Sequence, residues 1–158
     1  MLRKILIGLL IVLIIAQFIQ PPANNDSPVT ADYITHSVPV PDSVMALLKV
    51  ACYDCHSNST RYPWYSRITP VNWWLYNHIE EGKHHLNFSE FKGSYKRKMR
   101  KLEETAELTE KHEMPIGSYL WIHKDARLSD AQRKLIIDWA NNARKQLMQD
   151  SIRKASIM

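Results

Sequence analysis

Residues 42–56 read DSVMALLKVACYDCH. Val44, Leu47, Leu48, Ala51, Cys52 and Cys55 recur at the spacing of one face of an α-helix, and Asp42 is placed to cap its start. Both cysteines of the chain therefore fall on the apolar side of one amphipathic helix, with His56 directly after the second. A buried pair of thiols followed at once by an imidazole fixes what the rest of the chain has to enclose.

The pentapeptide Cys52-Tyr53-Asp54-Cys55-His56 is C-x-x-C-H, the attachment signature of a c-type haem. Two thiols three residues apart on a helix lie on one face, so each can add across one of the two vinyl groups on the same haem edge. His56 is then carried beneath the ring, where its imidazole can bind iron as the proximal ligand. The expected cofactor is one covalent haem c per chain. Other readings of a C-x-x-C pair stay open at this point. A thioredoxin-like dithiol needs a βαβ setting, of which the sequence gives no sign. A zinc-binding interaction module needs further ligands beside Cys52, Cys55 and His56. A simple disulfide would suit an exported chain.

The chain has 158 residues, of which 45% are hydrophobic and 23% charged, with a net charge of +5. That length suits one domain, and this composition excludes a disordered chain. Only 4 residues are glycine, few for a β-protein with many tight turns, so an all-α fold is expected. Hydrophobic residues crowd the start, with 15 in the first 19. The remainder holds about 40%, somewhat poor in core material for a globular domain. A domain built around an apolar cofactor would show that deficit.

Residues 5–19, ILIGLLIVLIIAQFI, follow Arg3 and Lys4 and precede Pro21-Pro22. Leu2 to Ile19, as a helix at ~1.5 Å per residue, would reach about 27 Å, enough to cross a bilayer. One N-terminal transmembrane helix is expected over residues 1–20, with a cleaved signal peptide as the other reading, although no A-x-A-like site follows. Arg3 and Lys4 would remain cytoplasmic, which puts the domain on the periplasmic side of a bacterial inner membrane. Residues 21–41, rich in Pro, Asn, Ser and Asp, read as a flexible linker. The haem-binding domain is expected over 42–150, with a tail at 151–158.

Within the domain, Thr69-Pro70 predicts a helix start, and Gly82 its end. A third helix is expected from Ser89 or Ser94 to about residue 111, broken by Met114-Pro115-Ile116-Gly117. Ser129 with Gln132 forms a capping box for a last helix carrying Leu135, Ile136, Trp139, Ala143 and Leu147 on one face.

An electron carrier usually gives its iron a second axial ligand. Met114, in a loop stiffened by Pro115, is the first candidate. His78, His84, His85, His112 and His123 are rivals, His112 the nearest, and an open site is the third possibility. Tyr62, Trp64, Tyr65, Trp73, Trp74 and Tyr76 cluster within 15 residues. Trp64, Trp73 and Trp74 are candidate haem contacts, because aromatic rings offer large apolar areas to a flat apolar disc. The alternative is an ordinary core cluster. Arg61, Arg67 and one of Trp73 and Trp74 could also meet haem propionates. The run KRKMRK at 96–101 reads as a solvated helix face, or as a docking patch for an acidic redox partner or anionic lipid. No nucleic-acid motif accompanies it, and no catalytic triad or carboxylate pair is present, so an electron carrier is expected and not an enzyme. A haem-based sensor or catalytic domain with a labile sixth ligand is the alternative.

CYDCHSNSTRYPWYSRITPVNWW, HIEEGKHHLNFSEF and EMPIGSYLWIHKDARLSDAQRKLIIDWA together resemble the haem-binding domain family of bacterial c-type cytochromes. The resemblance runs from Cys52 to Trp139. It implies a cytochrome-c-like helical fold, covalent haem at Cys52 and Cys55, His56 as proximal ligand and Met114 as distal ligand. NFSEF looks like a family signature, with no chemistry attached to Asn87 or Ser89.

Overall fold

The computed structural model describes residues 1–157. Seven α-helices carry the fold: α1 (Leu2–Ala16), α2 (Asp42–Ala51), α3 (Tyr53–His56), α4 (Val71–His85), α5 (Tyr95–Glu110), α6 (Gly117–Leu120) and α7 (Asp130–Ala155). Short 3-10 turns sit at Ile34–His36, Trp64–Arg67 and Lys124–Ala126. Among the described residues there is no strand, as the scarcity of glycine predicts; Asn25 and Ser59 form an isolated bridge.

The frame is the packing of α5 on α7. Ile136, Trp139, Ala140, Ala143 and Leu147 form the buried stripe of α7, and Leu102 and Ala106 that of α5. These spacings of three and four keep one helix face apolar. Val44 and Leu48 of α2 join the same core, as do Phe88 and Phe91. Each fully buried Leu or Ile contributes about 1.5–3 kcal/mol. Leu135 is exposed, one step of the helix away from that stripe. The capping box forms as expected: Ser129 accepts from the Gln132 amide, and the Gln132 side chain accepts from the Ser129 amide at 2.8 Å. Ser94 caps α5 by accepting from the Arg97 amide.

Several sequence expectations shift. α1 ends at Ala16, because the Gln17 side chain turns to the domain: its Oε1 accepts from the Thr69 amide at 2.9 Å. At 15 residues α1 is about 22 Å long, short of the ~30 Å hydrocarbon core. Among the described residues, no helix is long and apolar enough to cross a membrane, so the expected transmembrane helix is not found. The segment 21–41 is not a free linker. Tyr33, Ile34 and Val38 are buried in the core, and the indole N–H of Trp139 donates to the Pro39 carbonyl at 3.0 Å. Asn24 is buried too: its side-chain amide donates to the Ser57 carbonyl (2.8 Å) and Thr60 Oγ1 (2.9 Å). α7 continues past residue 150 to Ala155. The cysteine helix breaks at Cys52 (φ −126°), so Cys52 is the N-cap of the single turn α3 and Cys55 lies within it; neither continues α2.

α4 does not stop at Gly82; it runs on to His85. Gly82 answers a steric demand instead. A Cβ there would lie 2.5 Å from the Cys55 carbonyl oxygen and 3.1 Å from Cys55 Cβ. Only glycine lets α4 lie this close to α3. Thr69 gives no side-chain cap to α4; its hydroxyl donates to the Ala16 carbonyl at 3.2 Å.

Candidate haem site

A cavity of about 470 Å³ opens between the α3–α4 pair and α5 with the loop that follows it. Cys52, Cys55, His56 and Met114 all line it, together with Leu86, Leu108, Ile116 and Tyr119. Its size falls in the range of cofactor pockets, about 300–1,000 Å³. The structure thus brings four of the seven predicted site residues to one place.

His56 is held by the last turn of α4. Its Nδ1 lies 2.9 Å from the Gly82 carbonyl and 2.9 Å from the Leu86 carbonyl. Two acceptors facing one ring nitrogen place the proton on Nδ1, which leaves the lone pair of Nε2 for a metal. Burial holds the His56 pKa below the ordinary imidazole value, against the two carbonyls, which favour the protonated ring. A neutral imidazole is the form that ligates iron.

The thiols are shifted the other way. Burial, with Cys55 beside it, pushes Cys52 up to about 12; burial, with Asp54 beside it, pushes Cys55 up to about 11. Redox-active dithiols are tuned downward, so this pair does not have the character of a thioredoxin-like site. Both cysteines are free. Among the described residues no three His, Cys, Asp or Glu side chains are grouped to hold a metal ion. Two thiols on one wall, a neutral imidazole and a large apolar cavity fit haem better than zinc.

Met114 reaches the cavity because α5 ends just before it. His112 adopts a left-handed conformation (φ 59°), and the amides of Glu113 and Met114 both close on the Leu108 carbonyl, at 2.9 and 3.1 Å. That is a helix-terminating arrangement with His in the place usually given to glycine. The loop is then fastened from below by Arg133 of α7. Its buried Nη1 donates to the Met114 carbonyl (3.0 Å) and the Thr109 carbonyl (3.1 Å). Nothing in the local sequence pattern marks Arg133, because its partners are backbone atoms of α5 and of the loop after it.

His78 and His85 also line the cavity, whereas His84, His112 and His123 do not. His78 is occupied against Trp74, with ring centroids 4.1 Å apart and Nδ1 at 3.0 Å from the Trp74 carbonyl. His123 stacks on Tyr119 at 3.9 Å, one layer behind the wall.

Trp64, Trp73 and Trp74 are not cavity residues. They are exposed (80%, 38% and 46%), and the Trp73 indole N–H donates to the Ile19 carbonyl just beyond α1. The expected aromatic lining is instead one tyrosine and one phenylalanine, Tyr119 and Phe88, with Tyr53 stacked behind Phe88 at 5.3 Å. Arg61 and Arg67 are likewise absent from the lining. Arg61 is engaged with Asp54, its backbone amide donating to Oδ1 at 3.0 Å and its Nη2 to Oδ2 at 3.3 Å. Buried Asp54, the second intervening residue of the C-x-x-C-H segment, also accepts from the Tyr119 hydroxyl at 2.7 Å. Burial and that bond to Asp54 raise the Tyr119 pKa, so the phenol stays a donor.

NFSEF now has a function. Ser89 Oγ accepts from the Asn58 amide (3.1 Å), the Asn87 side chain donates to Asn58 Oδ1 (2.7 Å), and the Phe88 amide donates to the His56 carbonyl (2.8 Å). These bonds pin the loop that leaves His56.

A comparison with curated proteins found no match, and neither did one with solved structures. A family model, the haem-binding domain, matches residues 11–142, a stretch that contains both thiols, His56, Met114 and Arg133. With the match extending over most of its length, the chain belongs to the haem-binding domain family.

Proposed function

We propose that this protein is a monohaem c-type cytochrome that carries electrons and is not an enzyme. The observation that supports this best is the meeting of Cys52, Cys55, His56 and Met114 on one cavity, with His56 Nδ1 committed to two backbone carbonyls. In this reading Cys52 and Cys55 would hold one haem c through thioether bonds, with His56 Nε2 as the first iron ligand and Met114 as the second. Haem, when bound, supplies an iron that alternates between the ferrous and ferric states. The chain's own residues supply position. Gly82 and Leu86 orient the imidazole, Arg133 and Leu108 fix the Met114 loop, and Leu86, Leu108 and Ile116 exclude water. The two backbone bonds on each ligand's segment favour fixed six-coordination over a labile sensor site.

The proposal extends to attachment at a bacterial inner membrane through α1, with the domain on the periplasmic side. Support comes from the apolar composition of α1, all of whose residues are accessible or nearly so, and from Arg3 and Lys4 at its start. A redox partner protein would dock outside the lipid, with the basic stretch 96–101 as one candidate surface.

A haem stain on a denaturing gel, from cells that carry haem-attachment machinery, tests the covalent link; a colourless band would end the proposal. Met114→Ala should change the axial-ligand spectrum and admit carbon monoxide. An unchanged spectrum would assign the sixth position to His78 or His85.

A further inference from the structure

The end of α1 is bolted to the domain. Beyond the Gln17 bond, the Gln17 side-chain amide donates to the Thr69 carbonyl (3.2 Å), Gln20 Oε1 accepts from the Asn72 side chain (2.9 Å), and the Trp73 indole N–H donates to the Ile19 carbonyl (2.9 Å). α1 buries none of its own residues, so it projects away from the domain and does not lie along it. Around its base, Phe18, Ile19, Ile68, Val71, Trp73 and Trp74 are exposed at 84%, 60%, 44%, 38%, 38% and 46%. A helix apolar on every side has no single face for a protein groove to cover; lipid covers all sides at once. At about 22 Å, α1 falls short of the hydrocarbon core by roughly 8 Å. An apolar ledge at its base, with tryptophans suited to the headgroup level, compensates for that mismatch.

We infer that the ledge formed by Phe18, Ile19, Ile68, Val71, Trp73 and Trp74 is itself a bilayer-binding surface. It sets the domain down on the lipid in a fixed orientation, and the domain does not swing on a tether. This rests on the reading of α1 as a membrane attachment and adds the ledge to it. The haem cavity, bonded to α4 two turns beyond Trp74, is thereby held at a constant height over the membrane.

The test uses the full-length, haem-loaded protein in vesicles of phosphatidylethanolamine and phosphatidylglycerol. p-Benzoylphenylalanine replaces Leu10 in α1, Val71 in the ledge, or exposed Lys145 in α7, and lipid adducts are read by mass spectrometry after illumination. Acyl-chain adducts at positions 10 and 71, with none at 145, are expected. Adducts at 10 alone would overturn the ledge while leaving the attachment through α1 intact. No adduct at 10 would remove both, and adducts at all three positions would overturn the fixed orientation. A second measurement guards against a probe that disturbs Val71: Trp73→Ser should lower vesicle partitioning while its haem spectrum stays that of the parent, and unchanged partitioning would also count against the ledge.

Discussion

Gly82→Ala should loosen the site from a distance. In an open helix interior this change stabilises by about 1 kcal/mol, because alanine is the better helix former. Here the new Cβ would meet the Cys55 carbonyl oxygen at 2.5 Å and the Cys55 carbonyl carbon at 3.2 Å. Both are backbone atoms, so no rotamer change relieves the clash; α3 and α4 must part by several tenths of an ångström. Overpacking of this kind costs about 1–3 kcal/mol. Set against the propensity gain, the net loss is about 0–2 kcal/mol, or up to about 8 °C in Tm for a domain of this size. The same movement stretches the bonds from the Gly82 and Leu86 carbonyls to His56. Thermal unfolding of the haem-loaded protein, with the axial-ligand spectrum followed in parallel, measures both effects. Gly117→Ala is the control, since a Cβ there meets nothing within 4 Å. If Gly82→Ala melts above the parent, as Gly117→Ala is free to do, and keeps the parent spectrum, the close approach of α4 to the haem-binding segment is not what glycine is there for.

Arg133→Met leaves the Met114 carbonyl without its donor, while the Thr109 carbonyl keeps the His112 amide at 3.3 Å. At about 1–3 kcal/mol for the orphaned acceptor, it should destabilise the protein, and the methionine-ligated spectrum should fade on heating before the helical signal does; simultaneous loss would reduce Arg133 to a general core residue. Ser89→Ala removes the acceptor of the buried Asn58 amide and should cost about 1–3 kcal/mol in denaturant unfolding, whereas a loss below ~0.5 kcal/mol would mean that water replaces it. Cys52→Ser with Cys55→Ser should yield a chain without a cooperative melt. An empty void of 470 Å³ would cost at most about 11 kcal/mol at ~24 cal/mol per Å³, comparable to a domain's whole stability. A sharp, reversible calorimetric transition of that variant would refute the idea that the cofactor completes the core.

Periodicity and punctuation carried much of this architecture. The stripe of α7, its capping box and the Ser94 start of α5 depend on residues within one or two helical turns, and such local patterns are visible in a single sequence. The C-x-x-C-H pentapeptide and Met114 were legible for the same reason, one by spacing and the other by its loop and proline. What escaped was long-range. Gly82 looks like a helix terminator until α3 is known to pass 2.5 Å from its missing Cβ. The aromatic cluster of residues 62–76 looked like a cofactor lining, yet its tryptophans are exposed: α4 turns a side other than that of Trp73 and Trp74 to His56, and Trp64 lies in the turn before α4. Residues 21–41 have the composition of a linker, but the buried side chains of Tyr33, Ile34 and Val38 are enough to dock it on the core. Arg133 and Ser89 act on backbone atoms, and a backbone atom has no sequence signature.

The Tyr119–Asp54 bond joins two parts of the chain that are 65 residues apart. Asp54 sits between the thiols, and Tyr119 lies five residues after Met114. Withdrawing the Met114 loop therefore pulls on the same pentapeptide that carries the His56 imidazole. If His56 and Met114 hold the iron as proposed, its two sides are not independent doors: to open one is to unlatch the other, and ligand exchange becomes a cooperative breathing of the whole cavity. Such a protein should bind an exogenous ligand at a rate limited by that joint opening, independent of ligand concentration once the ligand is in excess.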